Sequence, residues 1–112
     1  MIPGAAFARD TGVDPFALPA SWHAAKSKLN PTQRFDFVTD NDIIGGNSGS
    51  PMINRSGEIV DLIFDGNIHS LGGAFWFDGR NNRAVAVHSG AILEALDKVY
   101  GACDLVREIT GQ

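Results

Sequence analysis

Between Phe35 and Val87 the chain breaks into short apolar-rich runs, each set off by a glycine-bearing turn. Phe35-Asp36-Phe37-Val38-Thr39 alternates apolar and polar residues, the period of a half-buried strand. Met52-Ile53-Asn54 and the run from Glu58 to Phe64 read as two arms of a hairpin across Arg55-Ser56-Gly57. Ala74 to Phe77 and Arg83 to Val87 read as two further strands, joined through Asp78-Gly79-Arg80-Asn81-Asn82. Several brief strands with such connections predict a small barrel or sandwich.

The two ends of the chain read differently. Residues 1–18 carry Pro3, Gly4, Gly12 and Pro15 with little periodicity, which predicts an irregular segment lying on another surface. Pro19 to Lys28 predicts a short helix, with Ser21 as candidate cap, Trp22, Ala25 and Leu29 on one face, and Asn30-Pro31 as its end. From Ser89, itself a candidate N-cap, the period becomes helical: Ile92, Leu93, Leu96, Val99 and Tyr100 form one apolar stripe. Gly101 breaks it, and Asp104 starts a last turn or two carrying Leu105, Val106 and Ile109. The expected organisation is a mainly β single domain: an irregular segment and short helix over 1–34, then a β body with a C-terminal helix over 35–112. One domain suits a chain of 112 residues.

Composition excludes several classes of function. A formal net charge of −4 without any basic run argues against a nucleic-acid partner. No apolar run approaches the roughly 20 residues that span a bilayer, and Met1-Ile2-Pro3-Gly4-Ala5-Ala6-Phe7 lacks the charged start and apolar stretch of a secretion signal. Cys103 is the single cysteine, so no intrachain disulfide forms, and it reads as a small core residue of a helix. The three histidines and one cysteine show no ligand spacing, and no phosphate-cradling Gly-x-x-x-x-Gly-Lys occurs. Neither a metal nor a cofactor is expected.

The most chemically suggestive stretch is Gly46-Asn47-Ser48-Gly49-Ser50-Pro51. A tight Gly-x-Ser-Gly turn lets the N–H groups of Gly46 and Ser48 converge beside the Ser48 hydroxyl, where they can hold the oxyanion of a tetrahedral intermediate. Gly49 removes a Cβ that would block the turn, and Pro51 sets φ where the next strand begins. Four such fixed positions coincide in about one window in 10⁵ at average residue usage. The plain alternative is a Gly/Ser turn between two strands.

The serine turn, together with Asn41-Asp42-Ile43-Ile44-Gly45 before it and Gly57-Glu58 and Phe64-Asp65-Gly66-Asn67 after it, resembles the bacterial serine dipeptidyl peptidases that combine a chymotrypsin-like double barrel with a large helical insertion. The resemblance runs from Asp14-Pro15-Phe16-Ala17-Leu18-Pro19 to the C-terminus. It implies the C-terminal half of such a double β-barrel, with Ser48 as nucleophile and Gly46 as an oxyanion donor. It implies a substrate-binding set of Asp65, Gly66 and Asn67. Asp65 matches the aspartate that binds the free α-amino group: a buried ammonium needs a counter-charge. Gly66 matches the pocket-shaping position, where arginine accepts acidic side chains and glycine leaves room for apolar or bulky ones. Asp42 stands six residues before Ser48, the offset of a trypsin-type pocket aspartate, but the same Asn-Asp-Ile belongs to the family's own pattern, and a structural role is expected.

A serine hydroxyl needs an oriented base. The resemblance places that His and its Asp in a first barrel upstream, and about 47 residues precede Ser48, too few for one. His23 reads as a partly exposed helix residue, His69 as packing or facing the cleft, and His88 stands where members of the family often carry Asp. The chain therefore reads as a fragment, inactive alone, whose face toward the missing N-terminal barrel would leave it poorly soluble. The implied partners are a peptide substrate and that barrel; the implied location is the periplasm, and a homodimer of the full-length enzyme stays open. Two alternatives remain: a catalytically inactive peptide-binding half-barrel, and a trypsin-like endopeptidase.

Overall fold

A computed structural model describes residues 2–112 as two compact units, one formed by the chain up to Phe35 together with Gly90–Gln112, the other by Asp36–Ser89. The C-terminal helices thus group with the N-terminal segment, whereas the sequence grouped them with the strands.

The second unit is a four-stranded antiparallel sheet of β1 (Asp36–Thr39), β2 (Pro51–Ile53), β3 (Ile59–Gly66) and β4 (Ala84–His88) in the order β1-β4-β3-β2. Three consecutive strands pair in sequence and the first lies beside the last, a Greek-key order. The β2–β3 hairpin forms where expected. Asn54 builds its turn: its side-chain oxygen accepts the N–H groups of Ser56 (2.9 Å) and Glu58 (3.1 Å), and Gly57 takes φ +79°, a value glycine adopts without steric cost. The long β3 carries a register shift between Ile63 and Asp65, so Phe64 is the extra residue of a bulge and Asp65 and Gly66 pair on with Val85 and Ala84. Among the described residues the sheet keeps two edges, β1 and β2.

Ala74–Phe77 is not a strand. The N–H groups of Phe75 and Trp76 both turn back to the Gly72 carbonyl, at 2.9 and 3.0 Å, directly after a 3-10 turn over Ile68–Gly72. An unbroken apolar run gives no alternation to select a strand face, and the backbone closes on itself instead. Phe75 is left 94% exposed and Trp76 76%. The Asp78–Asn82 turn forms as expected. Asp78 accepts from the Arg80 backbone N–H and guanidinium, contacts that hold its carboxyl at a pKa of about 2.

In the first unit, residues 2–9 form α1 (Ile2–Arg9) where an irregular segment is expected. Pro3 and Gly4 both fall in the first turn, where a missing N–H costs nothing, and the alanine-rich remainder propagates. Met1 lies outside the described residues. Helix α2 (Ala20–Ala25) continues as a 3-10 turn to Lys28. Ser21 does not cap it: Pro19 holds the N-cap position and its carbonyl accepts from Trp22 and His23, so Ser21 lies inside the helix. Ala25 and Leu29 are buried as the stripe predicts. His23 is half-exposed and its Nε2 lies 3.1 Å from Asp10. Helix α3 (Ser89–Glu94) begins at Ser89 itself and widens into a π-turn over Ala95–Val99, stopped by Gly101 at φ +65°. Helix α4 (Cys103–Thr110) follows and leaves Cys103 exposed rather than in a core. Helical residues outnumber strand residues, so mainly β describes residues 36–89 and not the whole chain.

One charge is buried. Asp61 on β3 is 1% exposed, neither carboxylate oxygen has a hydrogen-bond partner among the described residues, and it faces His88 across the β3–β4 pair. Burial raises its pKa from 3.8, while the charge of His88 pulls the other way. A carboxyl whose folded pKa is raised contributes most below its unfolded value and loses that contribution as pH rises through the folded one. Asp61→Asn is expected to melt higher than wild type at pH 7 to 8, the gain fading to nothing near the unfolded value of 3.8; thermal melts across that range test it.

Candidate active site

The serine turn is suspended from β3. Gly49 N–H donates to the Ile63 carbonyl at 2.7 Å, and Ile63 N–H donates to the Ser50 carbonyl at 3.0 Å. Gly46 and Gly49 take φ +97° and +85°, so both glycines are required by backbone shape. Asn47 closes the turn from within: its Oδ1 accepts the Ile44 N–H at 2.8 Å. The N–H groups of Asn47, Gly49 and Ser50 are all spent on backbone carbonyls. Among the described residues, those of Gly46 and Ser48 enter no internal hydrogen bond. The Ser48 hydroxyl is exposed and lies 3.4 Å from the Phe64 carbonyl, at the long limit of a hydrogen bond.

Ser48 opens onto a depression of about 280 Å³ within the strand unit. Ile43, Ile44, Ile63, Phe64 and Leu71 give it apolar walls, and Asp65, Gly66, Asn67 and Ser70 stand on one side. Asp65 is exposed, and its Oδ1 accepts the Gly66 N–H at 2.7 Å, which fixes the carboxylate at the irregular end of β3. The structure therefore brings Ser48, Asp65, Gly66 and Asn67 to one place. Asp42 is exposed and does not line the depression; nor do His23, His69 or His88. His69 is exposed on the 3-10 turn, and the His88 ring packs edge-on to Phe37 at 5.9 Å.

The Asn67 side chain is held by hydrogen bonds within the strand unit. Its Nδ2 donates to the Asn81 carbonyl (2.7 Å), and its Oδ1 accepts from Ser70 Oγ (3.0 Å) and the Arg83 N–H (3.1 Å). Its backbone N–H donates to the Arg83 carbonyl at 2.9 Å. Asn67 is thus a staple between the 3-10 turn and the entry to β4. Ser70, which the sequence alone does not single out, is part of the same cluster. Asn67→Ala strands the Asn81 carbonyl and the Arg83 N–H, and losing a satisfied, partly buried hydrogen-bond group costs about 1–3 kcal/mol. A lowered denaturation midpoint in the enzyme that carries this segment, with far-UV circular dichroism retained, is the expected result.

The family model described as Peptidase S46 matches residues 2–111, and the chain belongs to that family. It is 47% identical over 74 residues to Dipeptidyl-peptidase 7 of Phocaeicola vulgatus, a match covering 66% of this chain and 10% of the relative. It is 39% identical over 74 residues to the Asp/Glu-specific dipeptidyl-peptidase of Shewanella putrefaciens, covering 66% of this chain and again 10% of the relative. The fold is similar to the crystal structure of Porphyromonas endodontalis DPP11 in complex with the dipeptide Arg-Asp, with a TM-score of 0.85, 23% identity, and coverage of 94% of this chain and 16% of that one. The chain therefore spans about a tenth of the length of the curated relatives it matches.

Proposed function

We propose that this chain is the nucleophile- and pocket-bearing part of a serine dipeptidyl peptidase that releases dipeptides from free N-termini through an acyl-enzyme on Ser48. The observation that carries the reading is the meeting of Ser48, Asp65 and Gly66 on one apolar depression. Family membership and relatives named as dipeptidyl-peptidases support it.

In this reading Ser48 Oγ attacks the second peptide carbonyl while a histidine takes its proton. The carbonyl oxygen becomes an oxyanion held by the unspent N–H groups of Gly46 and Ser48. The C–N bond breaks, the histidine returns the proton to the leaving amine, and water then cleaves the ester to free the dipeptide. Asp65 holds the substrate's α-ammonium, which places the cut two residues in. Gly66, carrying no charge, favours apolar rather than acidic second residues. The histidine and its aspartate come from a first chymotrypsin-like barrel in a longer polypeptide, with this segment in the second. Ile53, Ile59, Ile68, Leu71, Phe75 and Trp76 are all exposed on the strand unit, more apolar surface than a finished monomer leaves bare. A periplasmic location follows the family resemblance.

A second reading fits the same segment equally well. Among the described residues no histidine lines the depression, as suits a peptide-binding module that lost its base. A fluorophosphonate probe separates the two: the full-length enzyme is labelled at Ser48 and its Ser48→Ala variant is not, whereas a dead module is labelled in neither form. The exposed position of Asp42 outside the depression gives the trypsin-like alternative no support.

Two kinetic outcomes are expected of the full-length enzyme. Ser48→Ala lowers kcat for dipeptide release by about 10⁴-fold or more. Asp65→Ala lowers kcat/KM by at least about thirtyfold, the loss of a charge-assisted anchor, while an N-acetylated peptide is cut by neither form. Efficient cleavage of the acetylated peptide by wild type would refute the dipeptidyl assignment.

A further inference from the structure

We propose that Ser70, backed by Ile43, forms the floor of the depression beneath Gly66 and limits the size of the substrate's second side chain, favouring aliphatic over aromatic residues. The inference rests on the dipeptidyl peptidase reading above.

A glycine at a pocket position usually means vacant space in front of it. Here the space is taken. A Cβ built on Gly66 would lie 3.0 Å from Ser70 Cβ, 3.2 Å from Ser70 Oγ and 3.4 Å from Ile43 Cδ1. All three residues line the depression. Glycine at 66 therefore contributes no wall of its own, and the surface a substrate meets there belongs to residues 70 and 43. In this proposal part of the room that glycine leaves is filled by a serine four residues on.

Ser70 is not free to move out of the way. Its Oγ has two acceptors within reach, the Asn67 side-chain oxygen at 3.0 Å and the Arg83 carbonyl at 3.2 Å. Its backbone N–H donates to the Asn67 carbonyl at 2.9 Å, and its own carbonyl accepts from Gly73 at 2.9 Å. Asn67 in turn is held by Asn81 and Arg83. The side chain is thus fixed in its rotamer from two sides, so its Cβ and Oγ act as a rigid floor rather than a flexible flap. One methylene more or less in an apolar pocket changes discrimination by about 10–200-fold, so a single small residue here is enough to set preference.

The test uses the full-length enzyme and dipeptidyl fluorogenic substrates sharing one first residue, with Ala, Leu or Phe second. Ser70→Gly removes both atoms of the floor and is expected to raise the Phe-to-Leu ratio of kcat/KM about tenfold, through KM. Ser70→Thr adds a methyl group and is expected to lower the Leu-to-Ala ratio by a similar factor. General loosening of the loop would depress all three substrates together and leave the ratios alone, so unchanged ratios in folded variants overturn the proposal. If Ser70→Gly does not fold, Ser70→Thr together with Gly66→Ala decides. The Gly66→Ala loss on the Phe substrate should be at least fivefold larger in the Ser70→Thr background than in wild type, and additive losses overturn the proposal. A wild-type enzyme that releases no dipeptide from any substrate defeats the underlying reading as well. Release with unmoved ratios defeats the role of Ser70 alone.

Discussion

The exchange of two backbone hydrogen bonds between Ile63 and the Gly49–Ser50 segment, at 2.7 and 3.0 Å, is the constraint on which the site depends. A nucleophile on a loop has to be held to a fraction of an ångström, and loops do not hold themselves. Here the loop borrows order from the central strand β3. The same strand supplies the Phe64 carbonyl beside the Ser48 hydroxyl, then Asp65 and Gly66. Ser48, Asp65 and Gly66 are thereby referenced to one backbone segment four residues long.

The second level of support is polar and lies one shell farther out. Asn67, Ser70, Asn81 and Arg83 share a closed set of hydrogen bonds that ties the long β3–β4 connection to the first residues of β4. In the same connection, Asp78 organises the following turn through Arg80 and Asn81. These bonds are short-range and individually modest, but they share donors and acceptors, so losing one member leaves several groups without partners. The hydrophobic core offers little to replace them: in the strand unit the buried apolar side chains are Ile63, Ala84 and Ala86, two of them alanines. Polar stapling carries order that a larger domain would take from packing.

What the sequence shows and what it hides follow from the range of the interactions. The Asn54–Glu58 hairpin is legible because its turn chemistry is local: asparagine, glycine and the flanking apolar arms all lie within a few residues. Ser48 and Gly46 draw notice as a glycine-bounded serine turn, whereas Asp65 and Gly66 are singled out only by the resemblance to the serine dipeptidyl peptidases. Asn67 is found by its neighbourhood, and only the fold reveals that Asn81 and Arg83 hold its side chain. Ser70 gives no signal, because its importance comes from a contact distance to a residue without a side chain. Asn47 could have been found, as a side-chain turn closer in a Gly-Gly-Asn-Ser sequence. The aromatic run at Phe75–Phe77 misleads toward a strand because apolar, β-favouring residues say nothing about whether a neighbouring strand exists to pair with them. Helix α1 is missed because proline and glycine break helices in the interior but not in a first turn.

The chemistry is divided by how each part must be built. Stabilising an oxyanion takes two N–H groups that the backbone itself leaves unspent, and one tight turn with positive-φ glycines at Gly46 and Gly49 provides for that locally. Recognising an α-ammonium takes one carboxylate, and Asp65 sits on the same strand. Activating a serine takes a base oriented by a further group, a three-body arrangement that a turn and a single strand cannot assemble. In the proposed reading the first two requirements are assigned to Ser48, Gly46 and Asp65 around one depression, and the third lies elsewhere, since among the described residues no histidine lines it. On that reading the division tracks physical cost: what one strand and its tethered loop can position is assigned to this segment, and what demands a second scaffold is assigned to a second barrel.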